Sequence, residues 1–326
     1  RNVFRSYNIQ KNENPNDEWP VPRFSSSSAR SPLIQWCYLS SRNVRRWLRS
    51  PLPLLLILGN SVMYGIVLAL LFSETDNSQY GATEHVSLFF FIAVVVSALA
   101  LSYTPQIFEE RPAFYRETSS KSYHPVVYLI SMVSVNLQIL LVTGMIIMVP
   151  VWASAGLRHS WYHSAYFFGT GIGLAVTDYL LLTLLCFLST GAEMGNGLYA
   201  IVNILQFMVN GFLLHRPDIP VYWIWAYWIA EQHYALEGFL INQLKGSDFD
   251  CHNNEGAFPI PVPSEADPSR VQYYCAFENG DDVLESIEVH DSWVWKMIDI
   301  SVLFAISSVL LFLCALVITK IRHINR

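Results

Sequence analysis

LPLLLILGNSVMYGIVLALLF, running from Leu52 to Phe72, carries no charged residue in 21 positions. A bilayer core of roughly 30 Å takes about 20 apolar residues in helix, so this stretch is predicted to cross a membrane. Working outward, five more stretches qualify: Val86 to Tyr103, Pro125 to Ala153, Ser164 to Leu188, Leu198 to Leu214 and Met297 to Thr319. The third exceeds the needed length and is expected to tilt or run into the interface. The second and fifth lie near the lower limit. Composition agrees: 52% of the 326 residues are hydrophobic and only 14% charged, against about 25% charged in soluble domains. The net charge of −6 comes from loops, and no basic stripe with interleaved aromatics points to nucleic acid.

Orientation follows from Lys and Arg near the span ends. Arg42, Arg45, Arg46 and Arg49 approach the first span; Arg111, Arg116 and Lys121 follow the second; Lys320, Arg322 and Arg326 form the tail. The first connection has none and the third only Arg158. Both termini are therefore expected in the cytoplasm, which an even number of spans requires. Before the first span, Ser31 to Ser50 reads as an amphipathic helix, with Leu33, Trp36, Cys37, Leu39, Val44, Trp47 and Leu48 roughly on one side. Residues 1–30 are polar and read as a linker from an upstream domain, since the chain opens on Arg1 with no signal peptide.

Val221 to Ala230, VYWIWAYWIA, is half a span long and rich in Trp and Tyr, which favour the membrane boundary. A short re-entrant helix is expected there, ahead of a large outer loop over 245–295. Glu231, His233 and Glu237 follow it and read as a polar cap; their spacing is not that of a zinc protease. Within the spans, Asp178 is the costly residue, a carboxylate that must face the bundle interior, a cavity or a partner. Asn136, Gln138, Asn203, Gln206 and Asn210 can bond between helices, and the last three share one helical face. That face either lines a path or acts as structural glue. Gly169 and Gly173 form a GxxxG that permits close helix contact. Cys186 and Cys314 fall in apolar runs and are expected to pack as small hydrophobes, and no CxxC pair or other metal motif occurs. Cys251 and Cys275 share the outer loop, where a disulfide is feasible.

Two stretches are specific enough to suggest a family. FEERPAFYRETSSKSYHP, Phe108 to Pro125, and NGFLLHRPDIPVYWIWAYWIAEQHYALEGFLINQL, Asn210 to Leu244, together resemble the ABC-2 type membrane domain of G-subfamily (white/pleiotropic-drug-resistance type) ATP-binding-cassette transporters. The resemblance covers 31–326 in the right order. It implies an all-α membrane protein of six transmembrane helices, with a connecting helix at Ser31 to Ser50 and a cytoplasmic coupling helix matched by Glu110, Arg111, Phe114, Tyr115, Arg116 and Glu117. It further implies a cavity between two membrane domains, with Asn203, Phe207 and Asn210 as lining candidates and Phe212 and Leu213 as a hydrophobic plug.

The resemblance implies lipids, sterols or amphipathic xenobiotics as cargo, a plasma-membrane location, and a partner nucleotide-binding domain that uses ATP and Mg. A second membrane domain, as a homodimer, heterodimer or tandem half, is also implied. No GxxxxGK[ST] occurs, so this stretch has no catalytic site and the complete protein is expected to be the ATPase-coupled translocase. A secondary transporter or channel using Asp178 is the alternative; it predicts an inverted repeat and broken helices, which the sequence lacks.

Overall fold

The computed structural model describes residues 31–73, 75, 79–248, 258–261, 271–274, 277, 279–290 and 292–321. The predicted linker and the Cys251–Cys275 pair lie outside the described residues. Eleven helices follow in chain order among them: α1 Pro32–Arg49, α2 Pro51–Leu71, α3 Gln79–Ala100, α4 Thr104–Ser119, α5 Pro125–Ser154, α6 Trp161–Leu188, α7 Ala192–Val209, α8 Ile224–Ile229, α9 Glu231–Leu244, α10 Gly280–Ser286 and α11 Trp293–Lys320. Prolines start α1, α2, α4 and α5, where the missing N–H is no loss. Ser292 caps α11 by accepting from the Val294 amide at 3.3 Å. The segment 245–295, expected as a large outer loop, also contains a short antiparallel pair, β1 Phe258–Pro261 with β2 Val271–Tyr274, which the all-α expectation omitted.

Among the described residues, five helical rods are long and apolar enough to cross a membrane: α2, Gly81–Ser119, α5, α6 and α11. The second runs 39 residues because a 3-10 turn at Leu101–Tyr103 joins α3 to α4 without a break. The segment expected as a coupling helix after the second span is thus a helical continuation of that span. Six spans were expected, and the fifth falls short. α7 stops at Val209; Gly211 then adopts φ +94, a conformation natural to glycine, and the Asn210 side chain accepts from the Phe212 amide at 3.1 Å. Residues 210–214 therefore form a turn, not the end of a span.

α6 sits at the centre, in contact with α3, α5, α7, α9 and α11. Its most apolar window is 67% buried, whereas that of α2 is 22% buried, so α2 is peripheral and packs on α5. The predicted GxxxG serves contacts inside the chain: a Cβ on Gly173 would meet the Leu303 side chain of α11 at 2.9 Å. Cys186 and Cys314 are buried. α1 lies against α5 and α2 by the stripe Gln35, Leu39, Asn43 and Trp47, of which Leu39 and Trp47 were expected on its apolar side. Leu33, Trp36, Val44 and Leu48 point outward, so the amphipathic reading named the right residues but mixed two faces.

Candidate functional site

Polar side chains gather in two places, one around α4 and one inside the bundle. Around α4, the sequence places acids at Glu110 and Glu117, seven residues apart and so on one helical face. Both find arginines on α1. Glu110 pairs with Arg46 and also accepts from the Tyr128 hydroxyl of α5. Glu117 takes both nearest contacts from Arg42 Nη1, at 2.7 and 2.9 Å, and the Tyr123 hydroxyl at 2.7 Å. Burial first, and then the bond to Glu117, holds the Tyr123 phenol above its ordinary pKa, so it stays a donor. Phe114 is buried with its ring 4.7 Å from that of Tyr128.

Arg111 turns the other way. It donates to the Ser189 carbonyl at 2.7 Å and to the Cys186 carbonyl, and lies 4.1 Å over the Phe108 ring. Those carbonyls end α6, so the guanidinium satisfies orphan acceptors at the negative end of that helix. Of the six predicted coupling residues, Glu110, Arg111, Phe114 and Glu117 thus tie α4 to α1, α5 and α6. Arg116 is exposed and Tyr115 half-buried on the opposite side.

One turn deeper, Asn136 of α5 is a buried hub. It accepts from Trp47 Nε1 of α1 and Gln106 Nε2 of α4, each at 3.3 Å, and donates to the Tyr179 hydroxyl of α6 at 2.8 Å. The sequence marked Asn136 as interhelical glue, and it is that. Gln138, paired with it in that reading, is exposed on the outside of α5.

Inside the bundle, Asp178 is fully buried, and both its oxygens are occupied. Ser97 Oγ of α3 donates to one at 2.8 Å and the Tyr199 hydroxyl of α7 to the other at 2.9 Å. Gln232 of α9 donates to Ser97 Oγ at 3.2 Å and to Asn203 Oδ1 at 2.9 Å. Gln206 donates to Glu231 Oε2 at 2.8 Å. The face of Asn203, Gln206 and Asn210 is therefore directed at α9 and at its own turn, and Asn210 also borders a cavity beside that turn. All fourteen residues of α9 are buried. Glu231, His233 and Glu237, read as a polar cap, are buried at the start of α9, and Glu237 is held by His233 at 3.2 Å and by His290 Nδ1 at 2.7 Å.

Of the two predicted plug residues, Phe212 borders a cavity of about 170 Å³, with Asn210, Tyr227, His233 and Leu240 among its other walls, and Leu213 does not. The Phe212 ring stacks on Phe90 of α3 at 4.3 Å, and Phe207 meets the same ring edge-on at 5.7 Å. Leu213 is exposed. Ser97, Tyr199 and Gln232 escaped the sequence reading, since a lone serine, tyrosine or glutamine in an apolar run gives no sign of its partner.

Residues 34–244 match the family described as "ABC-2 type transporter". A protein named ABC transporter G family member 5 from Dictyostelium discoideum is 30% identical over 328 residues, covering 99% of this chain and 21% of its own length. The G family member 6 of the same organism is 28% identical, again over 99% of this chain and 21% of its own. From Arabidopsis thaliana, ABC transporter G family member 18 is 27% identical over 67% of this chain and 31% of its own. The chain spans about a fifth of the length of the Dictyostelium relatives it matches.

Proposed function

From the premise that this chain belongs to the ABC-2 type transporter family, we propose that it is the membrane domain of an ATP-driven exporter for amphipathic cargo such as lipids, sterols or xenobiotics. The observation that carries the reading is the joint at α4. Glu110 and Glu117 pair with two arginines of α1 while Arg111 caps α6, so a displacement of α4 reaches three other helices through short, directional contacts. Such a joint suits the coupling helix of a transporter whose nucleotide-binding domain presses on the exposed Arg116 and Tyr115 side, using ATP and Mg.

Further parts of the proposal follow from this. Both termini and α4 lie in the cytoplasm of a plasma-membrane protein. α7 is the sixth crossing element. Its exposed aliphatic residues Ile201, Ile204, Leu205 and Met208 meet a second membrane domain, and the cavity between the two alternates in access. Phe207 lines that cavity, and Phe212 with Leu213 closes its outer end. Asn203 and Asn210 act at one remove, holding α7 and its turn in place.

The test uses the full-length protein in proteoliposomes. Glu110→Gln and Arg116→Ala are expected to leave ATP hydrolysis measurable while transport per ATP falls by at least about tenfold, equal to 1.4 kcal/mol of lost coupling. Unchanged transport per ATP in both variants would refute the coupling role of α4.

A further inference from the structure

Gln206 of α7 and Glu231 of α9 face each other inside the bundle, both more than nine-tenths buried. Gln206 Nε2 donates to Glu231 Oε2 at 2.8 Å. Each group has one further polar atom, and both are left without a partner: Oε1 of the same carboxyl and Oε1 of the same amide. Two acceptors cannot bond to each other. Turning the amide end for end sets its oxygen against Glu231 Oε2, which moves the mismatch without removing it.

An ionised Glu231 would thus hold a buried oxygen with no donor, and no arginine or lysine pairs with it among the described residues. α6 faces it with Asp178, itself a buried acid, and α7 with Tyr199, whose hydroxyl donates to Asp178. α3 contributes the neutral Ser97, and its His85 is bonded to the Ala155 carbonyl. Next along α9, His233 is held between Glu237 and the Tyr227 ring of α8. His215 and Arg216, in the turn after α7, border the cavity beside Glu237. α11 sets Asp299 near Glu237 and Lys296 on Asn242, farther along α9. α10 meets the far end of α9, where Asp281 accepts from the Gly246 amide. Burial first, and then the Asp178 charge, push the Glu231 carboxyl above the usual carboxylate range.

A protonated carboxyl changes the count. It supplies one O–H donor, and with a primary amide it closes a ring of two hydrogen bonds, N–H to the acid oxygen and O–H back to the amide oxygen. Both leftover atoms are then satisfied by each other. The neutral acid also avoids burying a second negative charge beside Asp178.

We infer that Glu231 is a proton-binding site, a neutral carboxylic acid closed in a ring with the Gln206 amide, which fastens α9 to α7 only while the proton is bound. Deprotonation turns the ring into a repulsive pair of oxygens. The stabilisation is therefore present in acid and is lost as the pH rises through the Glu231 pKa. Conversely, a displacement of α7 strips the acid of both bonds. The site requires no particular cargo and stands whether or not α7 meets a second membrane domain.

The test is infrared spectroscopy of the full-length protein in dodecyl maltoside, which has no carbonyl of its own. Wild type should show a protonated-carboxyl stretch at neutral pH that shifts in deuterium oxide and is lost at alkaline pH. Glu231→Gln should remove that band, and Asp178→Asn should keep it. Gln206→Leu should keep the proton at neutral pH but move the band to higher frequency. Thermal unfolding of Glu231→Gln should match wild type at neutral pH and lack the alkaline loss of stability that wild type shows. Identical carboxyl bands in wild type and Glu231→Gln, or a band lost in Asp178→Asn alone, would overturn the assignment. So would failure of Glu231→Gln to fold, because an amide replaces a neutral acid but not a needed charge. An unshifted band in Gln206→Leu would remove the amide from the site, and with it the link to α7.

Discussion

The joint at α4 and the network at Asp178 solve the same problem, holding helices together by polar contacts, with opposite chemistry. At α4 the partners are long and charged: Arg42 and Arg46 from α1, Glu110 and Glu117 from α4. The outer pair is partly wet, with 41% of the Arg42 side chain and 28% of Glu117 exposed. At Asp178 the partners are short and neutral, Ser97 and Tyr199, and the carboxylate is sealed from solvent. Long side chains can follow one another while a helix shifts; a serine hydroxyl and a buried carboxylate cannot without parting. The first arrangement suits an element that moves, the second a frame that stays. Within the joint the same gradient runs from Glu117, at the rim, to Glu110, which is buried.

The largest expected effect breaks the frame. Asp178→Ala takes the acceptor from the buried Ser97 hydroxyl and leaves the Tyr199 hydroxyl only the Ser97 carbonyl, and should destabilise the folded protein by about 3 kcal/mol, whereas Asp178→Asn keeps an acceptor and should cost about 1. Thermal unfolding of the full-length protein in detergent, followed by tryptophan fluorescence, reads both. Next, a double-mutant cycle between Arg46 and Glu110 should give a coupling of about 2 kcal/mol, larger than that between Arg42 and Glu117. Equal couplings would erase the gradient. Phe212→Ala removes the stack on Phe90 and should cost about 1 kcal/mol beyond lost area by the same unfolding measurement. Smallest, Arg42→Ala should change stability by about 0.5 kcal/mol, and 0.5 M salt should remove the difference. A salt-independent cost above that of Asp178→Ala would invert the comparison.

Much of this was legible beforehand, unevenly. The first, third, fourth and sixth apolar stretches became helices within a few residues of their expected ends, because each is long, uninterrupted and bounded by Pro, Ser or charge. The fifth was misjudged at its end, since apolar Phe212, Leu213 and Leu214 look like span residues until Gly211 turns the chain. Glu110 to Glu117 stood out as a mixed aromatic and charged segment, yet only half of its residues face inward. The polar-cap reading of Glu237 named no partner for it, because sequence distance hides His290, fifty-three residues on, which holds it in the interior.

Hydrophobic run length and the placement of arginines, both local properties, were enough to define a helical membrane domain and the position of its basic joint. Partner choice was not local. Whether Asn203 bonds Gln232, whether Gln138 is buried like Asn136 or left exposed on the outside of α5, depends on how helices rotate and which neighbours they meet. That is settled by packing, because a helix turned by one residue shows a different face, and only the assembled bundle selects among faces of nearly equal apolarity.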